Sequence, residues 1–348
     1  MKKPLVSIII VNYNGWPLIK DCFLSLGKQT YRKIEVIVVD NNSRPDQVKH
    51  LKTLSFKSLN IKFIYLDKNT GFTGGNNAGA AAANGKYIAL LNNDTIADEN
   101  WVVKLVKTLE SDPKAGIAVG KIYRVKNELK KEFFDSAGSL YNQIGSAWSR
   151  GYLEKEEGQY NKQEEVPMAT ACSLLFRKEI LDKTFLFDDS FFMYMEEFDF
   201  CLRVRRLGYS ILYTPKAIIY HHFSQSVKKE ASDSTMFKQF YANRARMKVI
   251  FKYYPWSIII KNIHLIFASF VYWDYYFLRH GGWKKLWSLK TAQWQFMKAG
   301  LKERKQNSAQ SNWTKWITYQ GFFNLMGWYK TSQKREQSYL NQTLDTKR

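Results

Sequence analysis

Cysteine is scarce: only Cys22, Cys172 and Cys201 occur in 348 residues. They lie far apart without a CxxC pair, which excludes a disulfide framework and a zinc site and fits a reducing cytoplasm. Long apolar runs are also missing. The longest uncharged stretch of the aromatic C-terminal region, Asn262 to Trp273, has 12 residues, short of the ~18–20 that span a bilayer. The opening MKKPLVSIIIVNYNG imitates a secretion signal, but its apolar run is short and meets Asn12 and Asn14 where small residues should stand, so it reads as a first strand. A dinucleotide fingerprint is absent too. Residues 71–79, GFTGGNNAG, contain no G-x-G-x-x-G and follow the third strand instead of the first, which argues against an NAD-binding enzyme. Acids are lacking at the C-terminal end, where residues 223–348 carry +16 of the formal net charge of +22 and 8 of the 11 tryptophans.

What is present builds a globular protein, since 45% hydrophobic content is enough for a sizeable core. Residues 4–12 and 34–40 are β-branched runs, 61–67 a third, and 87–94 a fourth, with helices expected over 16–27, 45–54 and an Ala-rich stretch ending near 85. Strands alternating with helices at this spacing imply an α/β, parallel, doubly wound sheet. A helix over 99–111, a strand over 116–123, an irregular polar stretch to about 165, and renewed β character at 166–178 follow. The segment 188–215 reads as a loop and helix rich in acids and aromatics, and 217–226 as a last strand.

The chain is organised around YIALLNNDT, residues 87–95. A buried strand there delivers Asp94 to the carboxyl edge of the sheet, where open α/β sheets bind ligands and a carboxylate suits a hard divalent cation carrying phosphates. A plain Asn/Asp turn is the competing reading. Gly74 and Gly75, expected at a helix start, would bring free N–H groups to a phosphate, or form an ordinary helix N-terminus of small residues. Glu196, Glu197 and Asp199 cluster at the start of a helix whose positive end tolerates them.

Taken in order, VSIIIVNYNG (6–15), VVDNNS (38–43), NTGFTGGNNAG (69–79), LLNNDT (90–95), FFMYMEEFDFCLRVRRLGY (191–209) and IIYHHFSQS (218–226) resemble the inverting family 2 glycosyltransferases of GT-A fold. The likeness is to the rhamnosyltransferase-like branch of bacterial surface-polysaccharide synthesis and covers about residues 4–255. It implies a Rossmann-like mixed sheet with flanking helices, and an enzyme moving a sugar, rhamnose included, from a dTDP, UDP or GDP donor to a lipid-linked glycan.

The resemblance also implies roles. Asp94 is the retained acid of the family's Asp-x-Asp motif, here Asn92-Asn93-Asp94, and with His221 would ligate Mg²⁺ or Mn²⁺; imidazole favours Mn²⁺. Asp40 matches the nucleotide-binding acid, with a turn acid as the alternative reading, and Asn12 and Tyr13 would lie against the base, although ordinary packing competes for Tyr13. Asn69, Asn77 and Asn93 fall in the matched nucleotide-sugar-binding blocks. Glu197 matches the catalytic base, with Glu where the family has Asp, and Glu196 is the fallback; Asp199 would orient Arg203 or the helix start. Arg244 would meet the diphosphate or lie on a helix surface.

The organisation expected is a transferase domain over 1–255 and a helical extension over 256–348. Within the extension, 256–280 reads as interfacial or packed on the transferase domain, and 280–306 as a helix with Trp283, Trp287 and Trp294 among lysines. An aromatic helix is expected over 313–329. Such a basic and aromatic surface suits an anionic membrane, or a helix that closes the core with a solvated basic face. The expected location is therefore cytoplasmic, peripheral on the inner membrane face. A nucleic-acid surface shares this composition and is tested by salt-resistant binding; the reading carried forward has no nucleic-acid partner. A non-catalytic nucleotide-sugar-binding scaffold of an assembly complex is the alternative function.

Overall fold

The computed structural model describes residues 3–54, 56, 58–125, 129, 131–222, 234–304, 312–320, 335, 336 and 339. In chain order it runs β1 (Val6–Asn12), α1 (Trp16–Gly27), β2 (Ile34–Asp40), α2 (Pro45–Lys52), β3 (Ile61–Tyr65), α3 (Gly71–Ala81), β4 (Tyr87–Leu91), β5 (Thr95–Ala97), α4 (Trp101–Ser111) and β6 (Ala115–Arg124). Then come β7 (Phe133–Ser136), β8 (Ser139–Asn142), β9 (Ala147–Ser149), β10 (Glu164–Glu165), β11 (Ser173–Arg177), α5 (Glu196–Arg206) and β12 (Ser210–His221). The chain closes with α6 (Ser234–Tyr253), α7 (Trp256–Lys261), α8 (Ile263–Arg304) and β13 (Ile317–Thr318).

The first four long strands pair in parallel in the order β3-β2-β1-β4, as alternation with helices requires. Beyond β4 the sheet becomes mixed: β11 lies antiparallel between β4 and β6, and β12 runs parallel to β6. Alternation along the strands feeds two cores. Ile8, Ile10, Val36 and Val38 pack with Ile19, Phe23, Trp101 and Leu105 of α1 and α4 on one face. Ile9, Ile37 and Val39 face a second core holding Phe198, Phe200, Val249 and Ile250 of α5 and α6. Each such fully buried Val, Ile or Phe contributes about 1.5–3 kcal/mol. The glycines of α3 let it approach β1: a Cβ on Gly75 would lie 2.7 Å from Val11 Cγ1, and one on Gly79 would collide with Ile9.

Three expectations change. The stretch to 165, read as irregular, holds the short strands β7 to β10: β7 pairs with β6, β8 with β9, and β10 with the distant β12. The last strand begins at Ser210 and ends at His221, because its first half pairs with β6 from Ala115 onward; residues 223–226 lie outside the described residues. In place of an aromatic helix from 313, residues 312–316 form a 3₁₀ turn and Ile317 pairs with Tyr141 of β8, while 321–329 lie outside the described residues.

The C-terminal helices pack against the sheet domain on one side. α8 breaks at Gly282, whose φ of 70° and ψ of −178° interrupt the helix. Its halves fold back, since Lys290 Nζ reaches Asp274 Oδ2 at 2.6 Å, where 16 residues of straight helix would span ~24 Å. Phe270, Phe277, Leu289 and Phe296 are buried. Arg304 donates to Phe251 O and Tyr254 O at 2.9 and 2.7 Å. The other side is open: Trp283 and Trp287 are each 74% exposed, with Phe267 at 68% and Tyr275 at 65%. Among the described residues no helix is long and apolar enough to cross a membrane.

Candidate active site at the carboxyl edge of the sheet

Strand register builds the first part of the site. The last pair of the β1–β2 ladder sets Asn12 opposite Asp40, and the β1–β4 offset that pairs Ile9 with Leu90 carries on to bring Asn93 beside Asn12. Asn12 Nδ2 donates to Asp40 Oδ1 at 3.1 Å, and Asn93 Nδ2 donates to Asn12 Oδ1 at 3.0 Å. Asp40 Oδ2 accepts from the Ser43 amide at 3.0 Å, so Asp40 also fills the turn role that competed with nucleotide binding. All three side chains are buried. Gly15 makes the row possible, because a Cβ there would collide with the Asn93 amide. Tyr13, next to this row, is half-buried.

The next residue, Asp94, meets His221. β5 pairs antiparallel with β12, setting Thr95 opposite His221, and the His222 amide donates to Asp94 O at 2.9 Å. His221 Nε2 then lies 3.1 Å from Asp94 Oδ1, while its Nδ1 lies 2.8 Å from Asp135 Oδ2. Burial works against a charged ring, but Cys172 and the two carboxylates outweigh it and hold the imidazolium well above its usual range. Sequence reasoning missed Asp135; a lone acid in FFDSAGS, a stretch otherwise of aromatic and small residues, was the available signal.

Asp94 and His221 offer a cation two ligands, and among the described residues no group of three or more His, Cys, Asp and Glu could hold a metal ion by itself. One hard oxygen and one imidazole fit a divalent ion whose remaining positions are filled by diphosphate and water.

The acid pair sits at the N-terminus of α5 behind a strained turn. Phe192, Tyr194 and Met195 have φ of 65°, 65° and 73°, the left-handed region that costs non-glycine residues about 1–3 kcal/mol each and that gathers at functional sites. Phe192 centres a γ-turn closed by Met193 N to Phe191 O at 2.8 Å. Burial, then the neighbouring Glu197 charge, pushes the Glu196 carboxyl well above its usual range. Burial raises Glu197 as well, against its backbone amide and a hydrogen bond from Glu196. The two neighbouring carboxyls oppose each other's ionisation, and the upward push is the larger at Glu196. Glu196 Oε2 and Glu197 Oε2 are both buried without a partner among the described residues.

The N-terminus of α3 ties this turn to the sheet edge. Asn41 donates to Asn69 Oδ1 at 3.1 Å and to Gly71 O at 2.9 Å, and accepts from the Thr70 amide at 2.9 Å; the Thr73 amide donates to Phe192 O at 3.2 Å. The free N–H groups expected at Gly74 and Gly75 are corrected here. The helix begins at Gly71, so the Gly74 amide is spent on Thr70 O at 3.3 Å and Gly75 faces Val11. Asn69 is engaged with Asn41 and with the Gly71 amide at 2.9 Å. Asn77, expected at the donor, instead binds Phe187 O, Phe187 N and Asp189 Oδ1 at 2.8, 3.0 and 2.8 Å, which uses both ends of its amide to brace the acidic loop. Arg244 donates to Ser190 O and Phe191 O at 3.3 and 2.9 Å and stacks on Tyr241 and Phe296. It is therefore a brace between α6 and the same loop, not a helix-surface side chain. Asp199 orients Arg203 at 2.8 Å and also binds Lys252 and Tyr253.

The buried Asn and Asp side chains and the acidic helix start thus lie at the carboxyl edge of an α/β sheet, the edge at which such sheets bind ligands. The family model described as glycosyl transferase family 2 matches residues 7–185, about half of the chain, and the chain belongs to that family. An uncharacterized glycosyltransferase of Haemophilus influenzae is 29% identical over 220 residues, covering 62% of this chain and 64% of that protein. The probable glycosyltransferase YdaM of Bacillus subtilis is 25% identical over 280 residues, covering 79% and 63%. The chain thus spans under two thirds of the length of either relative. The crystal structure of GalNAc-T7 with UDP, GalNAc and Mn²⁺ superposes with a TM-score of 0.55 at 14% identity, over 87% of this chain and 57% of that one. The fold is of GT-A type.

Proposed function

We propose that the chain is an inverting, metal-dependent glycosyltransferase. It takes a sugar from a nucleotide-diphosphate donor, whether dTDP, UDP or GDP, and rhamnose is the sugar that the rhamnosyltransferase-like motifs favour. The acceptor is a lipid-linked glycan of cell-surface polysaccharide assembly, and the enzyme works as a peripheral protein on the inner face of the membrane. The open aromatic side of α8, with Trp283 and Trp287, supports a membrane-facing role by the amphipathic logic of interfacial helices.

The observation that carries the reading is the continuous buried row Asp40, Asn12, Asn93 leading into Asp94 and His221, beside the acid pair Glu196 and Glu197 at the start of α5. Asp40 and Asn12 would hold the nucleoside, and Asp94 with His221 would hold the divalent cation, which neutralises charge on the departing diphosphate. Glu197 takes the proton of the acceptor hydroxyl as its oxygen bonds to the anomeric carbon. The bond from that carbon to the diphosphate oxygen breaks, and its electron pair leaves with the nucleotide.

The test is donor hydrolysis and binding across dTDP-rhamnose and UDP- and GDP-sugars, with Mn²⁺ or Mg²⁺ against EDTA. Metal-dependent turnover of one donor supports the proposal. Binding without turnover, with lipid acceptor supplied, would favour the non-catalytic scaffold instead.

A further inference from the structure

We propose that Asp135 is a positioning residue of this site: by accepting from His221 Nδ1 it fixes the imidazole so that Nε2 is presented beside Asp94, at the place assigned to the divalent cation. The inference rests on the metal reading above.

The first observation is backbone. In the β6–β7 ladder Ile122 pairs with Ser136 and Tyr123 with Phe134, so Asp135 is the extra residue of a β-bulge. Bulges beside active sites re-aim a side chain that regular pairing would place elsewhere. Regular register would give Asp135 a partner on β6. The bulge frees it to reach β12 on the far side of that strand.

The second observation is the hydrogen bond. Asp135 Oδ2 lies 2.8 Å from His221 Nδ1, and an ionised carboxylate can only accept, so Nδ1 keeps its proton in the contact. The other nitrogen, Nε2, lies 3.1 Å from Asp94 Oδ1; it is the one turned toward the place assigned to the cation, and it would give up its proton there when a metal binds. A carboxylate on one imidazole nitrogen with a metal on the other is the arrangement by which outer residues orient a ligating histidine.

The third is an unexplained cost. Asp135 is buried and its Oδ1 has no hydrogen-bond partner among the described residues. A carboxylate used only to hold β7 in place could be replaced by a side chain without that orphaned oxygen. Its place against the ring gives the cost a purpose.

The experiment titrates Mn²⁺ alone into the full chain, followed by electron paramagnetic resonance, for wild type, Asp94→Ala, His221→Ala, Asp135→Asn and Asp135→Ala. Asn at 135 can turn its amide to donate to Nδ1 and drive the proton onto Nε2, so Asp135→Asn is expected to bind Mn²⁺ roughly 10–100-fold more weakly. Wild-type affinity in Asp135→Asn, with binding lost in Asp94→Ala and His221→Ala, would overturn the positioning role and leave the metal reading standing. Unchanged affinity in Asp94→Ala would remove the metal reading and this proposal together. If the Asp135 variants do not fold, nitrogen-15 spectra of the Mg²⁺-loaded wild type decide: a proton on Nδ1 of His221 is expected, and one on Nε2 would overturn the assignment.

Discussion

Asn12 and Asn93 are 81 residues apart in the chain, yet the Asn93 amide donates to Asn12 Oδ1 at 3.0 Å while Asn12 turns its own amide to Asp40. One side chain thus joins the ends of three parallel strands, and its two halves serve as donor and acceptor at once. Asn12→Ala would leave Asp40 Oδ1 and the Asn93 amide buried with a partner missing. Each such loss costs about 1–3 kcal/mol, so denaturant unfolding should show a drop of that order, together with weaker nucleotide binding by calorimetry. Gly15→Ala should produce a similar loss by displacing Asn93, as overpacking typically costs about 1–3 kcal/mol. Wild-type stability and nucleotide affinity in both variants would refute the arrangement.

Asp199 is fully buried and holds Arg203 Nε at 2.8 Å, Lys252 Nζ at 2.7 Å and the Tyr253 hydroxyl at 2.6 Å. Lys252 continues to Glu303 at 2.8 Å, so this carboxylate couples helix α5 to α6 and α8. Removing one partner of such a network costs about 3–5 kcal/mol, the loss expected for Asp199→Asn in urea. Burial opposes ionisation of Asp199, but Arg203 and Lys252 hold its carboxyl well below the usual range. A depressed pKa stabilises the fold above the unfolded value of about 3.9, and that contribution is lost as pH falls further. Wild type should therefore lose stability on acidification below about pH 4, and Asp199→Asn should lose less over the same interval. Parallel acid profiles would contradict the coupling.

The base assignment fixes a pH dependence. Burial raises the Glu197 carboxyl, and a base acts only when ionised, so kcat/KM should rise with pH through a midpoint above the ordinary glutamate value of about 4.3. An acid limb at or below that value would place the base elsewhere.

Trp283 and Trp287 touch little of the protein, each being 74% exposed. Replacing both by Ser should change stability by no more than about 0.5 kcal/mol. Binding to vesicles containing anionic lipid should weaken roughly tenfold, equivalent to ~1.4 kcal/mol. Equal vesicle binding by the double variant would deny the aromatic side a membrane role.

Much of the sheet was legible because β1, β4 and most of β2 are buried apolar runs. Ile34–Asp40 lies where expected, and the strand expected over 87–94 stops at Leu91, where the polar turn Asn92-Asn93-Asp94 begins. Glu196, Glu197 and Asp199 were placed at a helix start because acids there meet the positive end of the helix. The strands β7 to β9 were hidden because each is only 3–4 residues long, so no periodicity could accumulate. Asp135 was lost with them, since a bulge is a property of two strands together. The start of α3 was placed too late because Gly71 and Gly74 read as turn residues, whereas the Asn41 side chain and the Phe192 carbonyl organise that helix end from outside it. Asn77 and Arg244 lie within helices near the acidic loop, but which way each side chain turned was decided by tertiary packing that sequence spacing does not carry.

The most direct measurement is sugar transfer and donor binding by Glu197→Gln and Asp94→Ala beside wild type, using the donor that turns over. The account predicts that Glu197→Gln keeps donor affinity while kcat falls by about 10²–10⁴, and that Asp94→Ala loses both metal-dependent donor binding and turnover. Transfer at the wild-type rate in either variant would contradict it.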